Sequence, residues 1–172
     1  MNQKYDVMVI GPVSLDHNID YEGNERNEIG GAVVASGFAA AGSGAKTAIF
    51  CKFNSKDLTV SGCFGGIRAD LYQGESAHTC AIKNQYFTAD KERRACTSLG
   101  VCDPFRFEEL PEIETDVYHL PVLSMATLME NFLRKPPGTA RLRWMSSVCS
   151  GMWRRMVPCS SMIGQKKRNI CR

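Results

Sequence analysis

Residues 5–21 read YDVMVIGPVSLDHNIDY, and the change of pattern inside this stretch decides the fold class. Tyr5 to Ile10 is an almost unbroken apolar run closed by Gly11 and Pro12, as expected of a strand buried on both faces of a parallel sheet. From His17 to Tyr21 polar and apolar residues alternate, the pattern of a strand with one wet face. Downstream, Gly30-Gly31 opens the small-residue run AVVASGFAAAGSG, closed by Gly42 and Gly44, which predicts a tightly packed helix with a glycine stop. Residues 46–53, KTAIFCKF, predict a second buried strand. Between Asn54 and Gly74 the signals are weaker: Gly62, Gly65 and Gly66 suggest turns, and residues 69–72 a short strand. Residues 79–87 (TCAIKNQYF) and 93–101 (RRACTSLGV), separated by TADKE, predict an antiparallel hairpin with a polar tip. Pro111 to Glu114 reads as a loop, and residues 116–120, DVYHL, as a third buried strand. The succession predicts an α/β sheet with a β-stranded outgrowth.

A chain of 172 residues suits one domain and is short for two. Its 44% apolar and 23% charged content argues against disorder, and no apolar run approaches the roughly 20 residues of a spanning helix. The start, MNQKYDVMVIG, lacks the apolar core and cleavage site of a secretory signal, so a cytoplasmic protein without membrane partners is expected. The eight cysteines contain no C-x2-C pair, and Cys96 and Cys102, the closest two, have five residues between them. Free thiols and no metal site are the expectation.

The net charge of +3 hides two unlike pieces. Residues 1–120 hold 11 Lys+Arg against 17 Asp+Glu, a balance of −6; residues 121–172 hold 10 Lys+Arg and a single acid, Glu130, a balance of +9. Trp144, Trp153 and six of the eight methionines also follow Leu120. Such a break marks a domain boundary, a basic tail or an altered reading frame.

Two features of the acidic part invite a ligand. Asp16 stands five residues after the glycine that ends the first strand, where the crevice beyond an open sheet would let a carboxylate accept hydrogen bonds from sugar hydroxyls; a turn-capping aspartate is the alternative. Gly30-Gly31 either lets a ligand approach a helix N-terminus or simply begins the helix.

Taken together, VIGPVSLDHNID, EIGGAVVASGFAAAGSGAKTAIF, TCAIKNQYFTADKERRACT and TDVYHL resemble the N-terminal portion of the PfkB, or ribokinase-like, carbohydrate kinases over about residues 5–120. The resemblance implies an incomplete ribokinase-like, Rossmann-like sheet with a β-stranded lid. It also implies ATP-dependent phosphorylation of a sugar or nucleoside hydroxyl, with ATP and Mg2+ as the cofactors of the intact family. Asp16, Gly30 and Gly31 would contact the substrate, and Lys83, Asn84 and Arg93 lie on the lid hairpin, as lid contacts or as a solvated face. The family pattern GG-x3-N-x-A is departed from at Ala35, where the family has Asn, and at Gly37. The lid of the family can also join subunits, so self-association through the lid or an exposed strand edge is a possible partnership.

The second signature of the family, D-T-x-G-A-G-D, does not occur in these 172 residues, nor does a Walker-type loop. That signature supplies an anion hole and the Asp that deprotonates the acceptor, so no catalytic residue is assigned and the chain alone is expected to be inactive, binding neither ATP nor Mg2+. A non-catalytic binding protein using the lid hairpin or the basic tail is the alternative.

In the tail, residues 123–133 read as a helix ended by RKPPG, after which no amphipathic period is sustained. Lys166-Lys167-Arg168 is too isolated a patch for nucleic acid to be an expected partner, and Cys149, Cys159 and Cys171 have no zinc-knuckle spacing. Joining the third base of each codon to the next two forces Gly from Met125-Ala126 and Met129-Glu130, and Asp from Trp144-Met145 and Met162-Ile163. With permitted codons elsewhere, the shifted frame gives GLIYGDFDG after Pro121, similar to the continuation of the same kinase family. Residues 121–172 are therefore expected to be an out-of-frame, poorly ordered segment.

Overall fold

The computed structural model describes residues 3–122 and 141–146. Its centre is a five-stranded parallel sheet of order β5-β4-β1-β8-β9, built from β1 (Lys4–Pro12), β4 (Thr47–Phe53), β5 (Asp70–Glu75), β8 (Glu114–Val122) and β9 (Arg141–Ser146). The apolar run of β1 pairs with β4 on one side and β8 on the other, with Val9 opposite both Ile49 and His119. Every residue of β4 is buried, as the continuous run KTAIFCKF requires of a strand covered on both faces.

One face of this sheet is covered by α1 (Ala32–Gly42) and α2 (Val60–Phe64), which close Val9, Val13, Val33, Ile49, Phe53 and Phe64 into one core. Gly37 sets the spacing of that layer: a Cβ there would meet Ile49 Cδ1 at 2.5 Å. Over the other face, residues 102–113 pack Phe105, Leu110 and Ile113 against Tyr5, Met8, Phe50 and Tyr118. Fully burying side chains of this size contributes roughly 1.5–3 kcal/mol each, so these two layers fix the end of β1 that opens on the site.

The outgrowth is a separate four-stranded sheet of order β3-β2-β6-β7, made of β2 (Ser14–Ile19), β3 (Glu25–Gly30), β6 (Ala81–Tyr86) and β7 (Arg94–Gly100). β6 and β7 form the expected antiparallel hairpin, with Phe87 N–H donating to the Arg93 carbonyl at 2.9 Å as its last rung. β2 pairs antiparallel with β3 and parallel with β6.

Several boundaries differ from the sequence expectation. β2 begins at Ser14 and stops at Ile19, because Asp20 Oδ1 accepts the N–H groups of Glu22 and Asn24 (2.9 Å each) and turns the chain. β3, ERNEIG, has no apolar alternation to announce it; it is an exposed edge strand held by its ladder to β2. α2 is capped by Thr59, whose Oγ1 accepts from Gly62 N–H at 3.2 Å, and contains one of the glycines that suggested only turns. β9 lies in the tail beyond residue 133, where no further element was expected, and pairs parallel with β8. Its sequence, RLRWMS, alternates polar and apolar over four residues, too short a stretch to stand out. The helix expected at 123–133, Lys166-Lys167-Arg168 and the three tail cysteines lie outside the described residues.

Candidate functional site

The main sheet changes direction at β1. From β1 the chain next adds β4 and β5 on one side, then β8 and β9 on the other, so β1 and β8 flank a topological switch point. The crevice beyond the strand ends at such a point is where open α/β sheets bind ligands. Gly11 holds that end tight, because a Cβ on it would meet the Pro121 carbonyl oxygen at 3.0 Å and Val33 Cβ at 3.2 Å.

From Pro12 the chain passes through buried Val13 into β2, where Leu15 N–H donates to the Cys80 carbonyl at 2.8 Å. Ser14 and Asp16, two apart, share one face of the lid sheet, and their register partners on β3 are Gly30 and Glu28. Gly30 lies directly against the Asp16 carboxylate, so that a Cβ on it would collide with Asp16 Oδ2 and approach Ser14 Oγ at 2.9 Å. Gly31 caps α1 with φ 101°, and a Cβ there would stand 2.6 Å from the Pro12 carbonyl oxygen. The structure therefore brings Asp16, Gly30 and Gly31 to one point. No side chain caps α1, and in its first turn Val34 N–H donates to the Gly31 carbonyl at 3.0 Å.

Burial pushes the Asp16 carboxyl above the usual carboxylate range, with the neighbouring Glu28 charge adding to the rise. The nearby Ser14 hydroxyl and the Arg94 guanidinium pull the other way. Ser14 Oγ reaches no geometry that closes a hydrogen bond. Among the described residues, Ser14 Oγ and Asp16 Oδ1 are the buried side-chain oxygens without a partner. An unmet buried polar group costs about 1–3 kcal/mol, so two side by side mark a place prepared for hydrogen-bonding groups from elsewhere.

The rest of this face is internally satisfied. Asn18 Nδ2 donates to Glu28 Oε2 at 2.6 Å, Asn84 Nδ2 to Asn18 Oδ1 at 2.9 Å, and Cys96 Sγ to Asn84 Oδ1 at 3.2 Å, a chain of contacts across all four lid strands. Arg26 Nε occupies the other oxygen of Glu28 at 3.0 Å. Of the three lid residues singled out in the sequence, Asn84 shares the Asp16 face. Lys83 pairs with His17 on the opposite face, and Arg93 precedes β7 at the hairpin tip. Ser14 and Arg94 were missed: a serine at a strand start carries no spacing signal, and only its burial exposes its role. Ala35 lies within α1, next to Ser36, whose Oγ contacts His119 Nε2 at 3.2 Å.

The site suits neutral hydroxyl groups. A helix N-terminus alone attracts phosphate, but the Asp16 carboxylate stands against this one and repels an anion. No group of three or more His, Cys, Asp or Glu side chains with metal-binding geometry occurs among the described residues. The Asp16 carboxylate has the wrong charge to receive the triphosphate end of ATP at this helix start.

No family model matches the sequence. No curated protein matches it. Among solved structures, the chain is similar to a pyrophosphate-dependent kinase in the ribokinase family, in a sulfate complex. The TM-score is 0.64 at 25% identity, over 74% of this chain and 45% of that one. A structure described as a pyrophosphate-dependent kinase in the ribokinase family, complexed with a pyrophosphate analog and myo-inositol, gives 0.63 at 23% identity, over 74% and 44%. The nucleoside kinase of Methanocaldococcus jannaschii, an archaeal member of the ribokinase family, gives 0.56 at 16% identity, over 83% and 52%. The chain spans about half the length, or less, of these relatives. Its sheet order, its four-stranded lid and these likenesses agree: the chain has the fold of the ribokinase family of kinases.

Proposed function

We propose that this chain forms the acceptor side of a ribokinase-type kinase site, holding hydroxyl groups of a sugar, cyclitol or nucleoside at Asp16, Ser14 and the bare backbone of Gly30-Gly31. The observation that carries this reading is the pair of partnerless buried oxygens, Asp16 Oδ1 and Ser14 Oγ, against Gly30, whose side chain would collide with both groups. Asp16 accepts a hydrogen bond from one substrate hydroxyl, Ser14 Oγ gives or takes one from its neighbour, and the N-terminal N–H groups of α1 orient a further oxygen. The lid sheet covers the ligand and limits its contact with water.

In an intact kinase of this type a phosphoanhydride donor, ATP or pyrophosphate, supplies the phosphoryl group. The signature that would cradle that donor and take the proton from the acceptor is not among these 172 residues. The 172-residue chain is accordingly assigned binding without turnover. Saturation-transfer NMR with myo-inositol, ribose and adenosine, alongside a phosphoryl-transfer assay with ATP and with pyrophosphate, tests both halves. Binding of at least one polyol with no phosphorylated product is expected; turnover with either donor refutes the inactive half-site.

A second reading, self-association through the lid, is favoured by Ile29 and Leu99. Ile29 lies on the lid face opposite Asp16 and is 41% exposed, and Leu99, 56% exposed, sits at the register shift of β7 between Ser98 and Gly100. Light scattering at increasing protein concentration distinguishes a dimer from a monomer, and Leu99→Lys should shift a dimer to monomer.

A further inference from the structure

Two of the chain's crossings between the lid and the rest of the molecule are the one leading into β6 and the one leading out of β7. Cys80 and Cys102 meet there. The Cys102 N–H donates to Cys80 Sγ at 3.2 Å, which sets the Cys80 sulfur against the backbone of Cys102. Both side chains are buried, and Cys80 also bridges to Ser14 and holds Leu15 N–H through its carbonyl. The pair thus sits at the root of the lid, with Cys80 beside the start of β2, the strand that carries Asp16.

The contact is electrically lopsided. The Cys102 side chain holds the ionisation of Cys80 below the ordinary thiol range, while the same interaction and burial drive Cys102 upward. Cys80, whose sulfur accepts the Cys102 N–H, is the better placed of the two to carry thiolate character. Elsewhere burial raises Cys51 to about 12 and pushes Cys63 up as well, so that pair is chemically quiet by comparison.

We propose that Cys80 and Cys102 form a redox modification site at which a small peroxide closes a disulfide and pins the root of the lid. The Cys80 thiolate attacks one peroxide oxygen; the O–O bond breaks, and the departing hydroxide takes up a proton as water. The Cys102 sulfur then displaces the sulfenic oxygen from Cys80, which leaves as a second water. The two thiols together lose two electrons and two protons, and one peroxide is reduced to two waters. The resulting link closes the lid strands into a covalent loop and stiffens the start of β2 through the Cys80 carbonyl. A low-molecular-weight dithiol reverses it.

The test treats the purified full chain with hydrogen peroxide, alkylates the remaining thiols, and maps peptides without reduction. The expected product is a Cys80–Cys102 linked peptide pair, with slower amide exchange over residues 81–100, both reversed by dithiothreitol. Cys96→Ser should leave the link unchanged, and Cys102→Ser should leave Cys80 as a dimedone-trappable sulfenic acid. Recovery of Cys80 and Cys102 as alkylated thiols after peroxide overturns the proposal, as does pairing of Cys80 with any other cysteine. The map of the unsubstituted chain decides even where a variant does not fold.

Discussion

Asp16 is a strained choice for an unliganded protein, since its carboxylate is half-buried, opposite Glu28, and short of hydrogen bonds. Its folded-state ionisation is displaced upward from 3.8, so the native state binds the proton more tightly than the unfolded chain. Stability from this group is therefore greatest below its unfolded value and falls as pH rises through the window up to the folded value. Asp16→Asn should raise the Tm at neutral pH and lose that advantage in acid, as thermal melts across the range will show. The two glycines separate on a different axis. Gly31→Ala forces a side chain into φ 101° against the Pro12 carbonyl and should cost about 1–3 kcal/mol in urea unfolding. Gly30→Ala has no such backbone penalty, so its main effect should be loss of ligand binding through the collision with Asp16. That Asp16, Gly30 and Gly31 lie close together could be anticipated only through the family resemblance, since an aspartate and a glycine pair are ordinary residues at strand and helix ends. Ser14 was not anticipated, since its distinction is a burial that depends on Cys80, Gly30 and Gly31 arriving from elsewhere in the chain.

At the level of elements, β1 and β4 were readable because the buried part of a strand covered on both faces must be apolar, β8 by its shorter run around Val117, Tyr118 and Leu120, and the hairpin of β6 and β7 because its tip is polar. β3 escaped notice for the converse reason: an exposed edge strand can hold any polar sequence, and its pairing with β2 is what makes it a strand. Lys52 looks out of place in the buried run of β4, yet it is 2% exposed. Its Nζ donates to both carboxylate oxygens of Glu109 (2.9 and 2.8 Å) and to the Pro104 carbonyl (2.9 Å), and lies 5.6 Å from the Phe105 ring centre. This ammonium fastens the 102–113 segment over the main sheet, the same segment that delivers Cys102 to the lid root. Lys52→Ala leaves Glu109 without its partner and should destabilise by about 3–5 kcal/mol. Lys52→Met combined with Glu109→Leu should recover most of that loss, and denaturant titration of both variants checks the pair.

For the whole molecule, the balance of −6 over residues 1–120 and +9 over residues 121–172 coincides with the point where the family resemblance stops. β9 nevertheless adds a fifth parallel strand from the basic segment, beside β8. We propose that this segment is read from a shifted frame of a kinase gene. The coding DNA from codon 110 onward should then show an open, kinase-like continuation in the neighbouring frame; early stop codons there would remove the idea. The proposed function rests on the other part, where the switch point, the bare glycines and the two partnerless oxygens coincide. Titration calorimetry of the chain and of Asp16→Asn with the polyol picked out by NMR tests that claim most directly. The account predicts saturable binding to the unsubstituted chain that falls at least about tenfold in the variant, the loss of one charge-assisted hydrogen bond. Equal affinity in the two proteins, or none in either for every polyol tried, would contradict it.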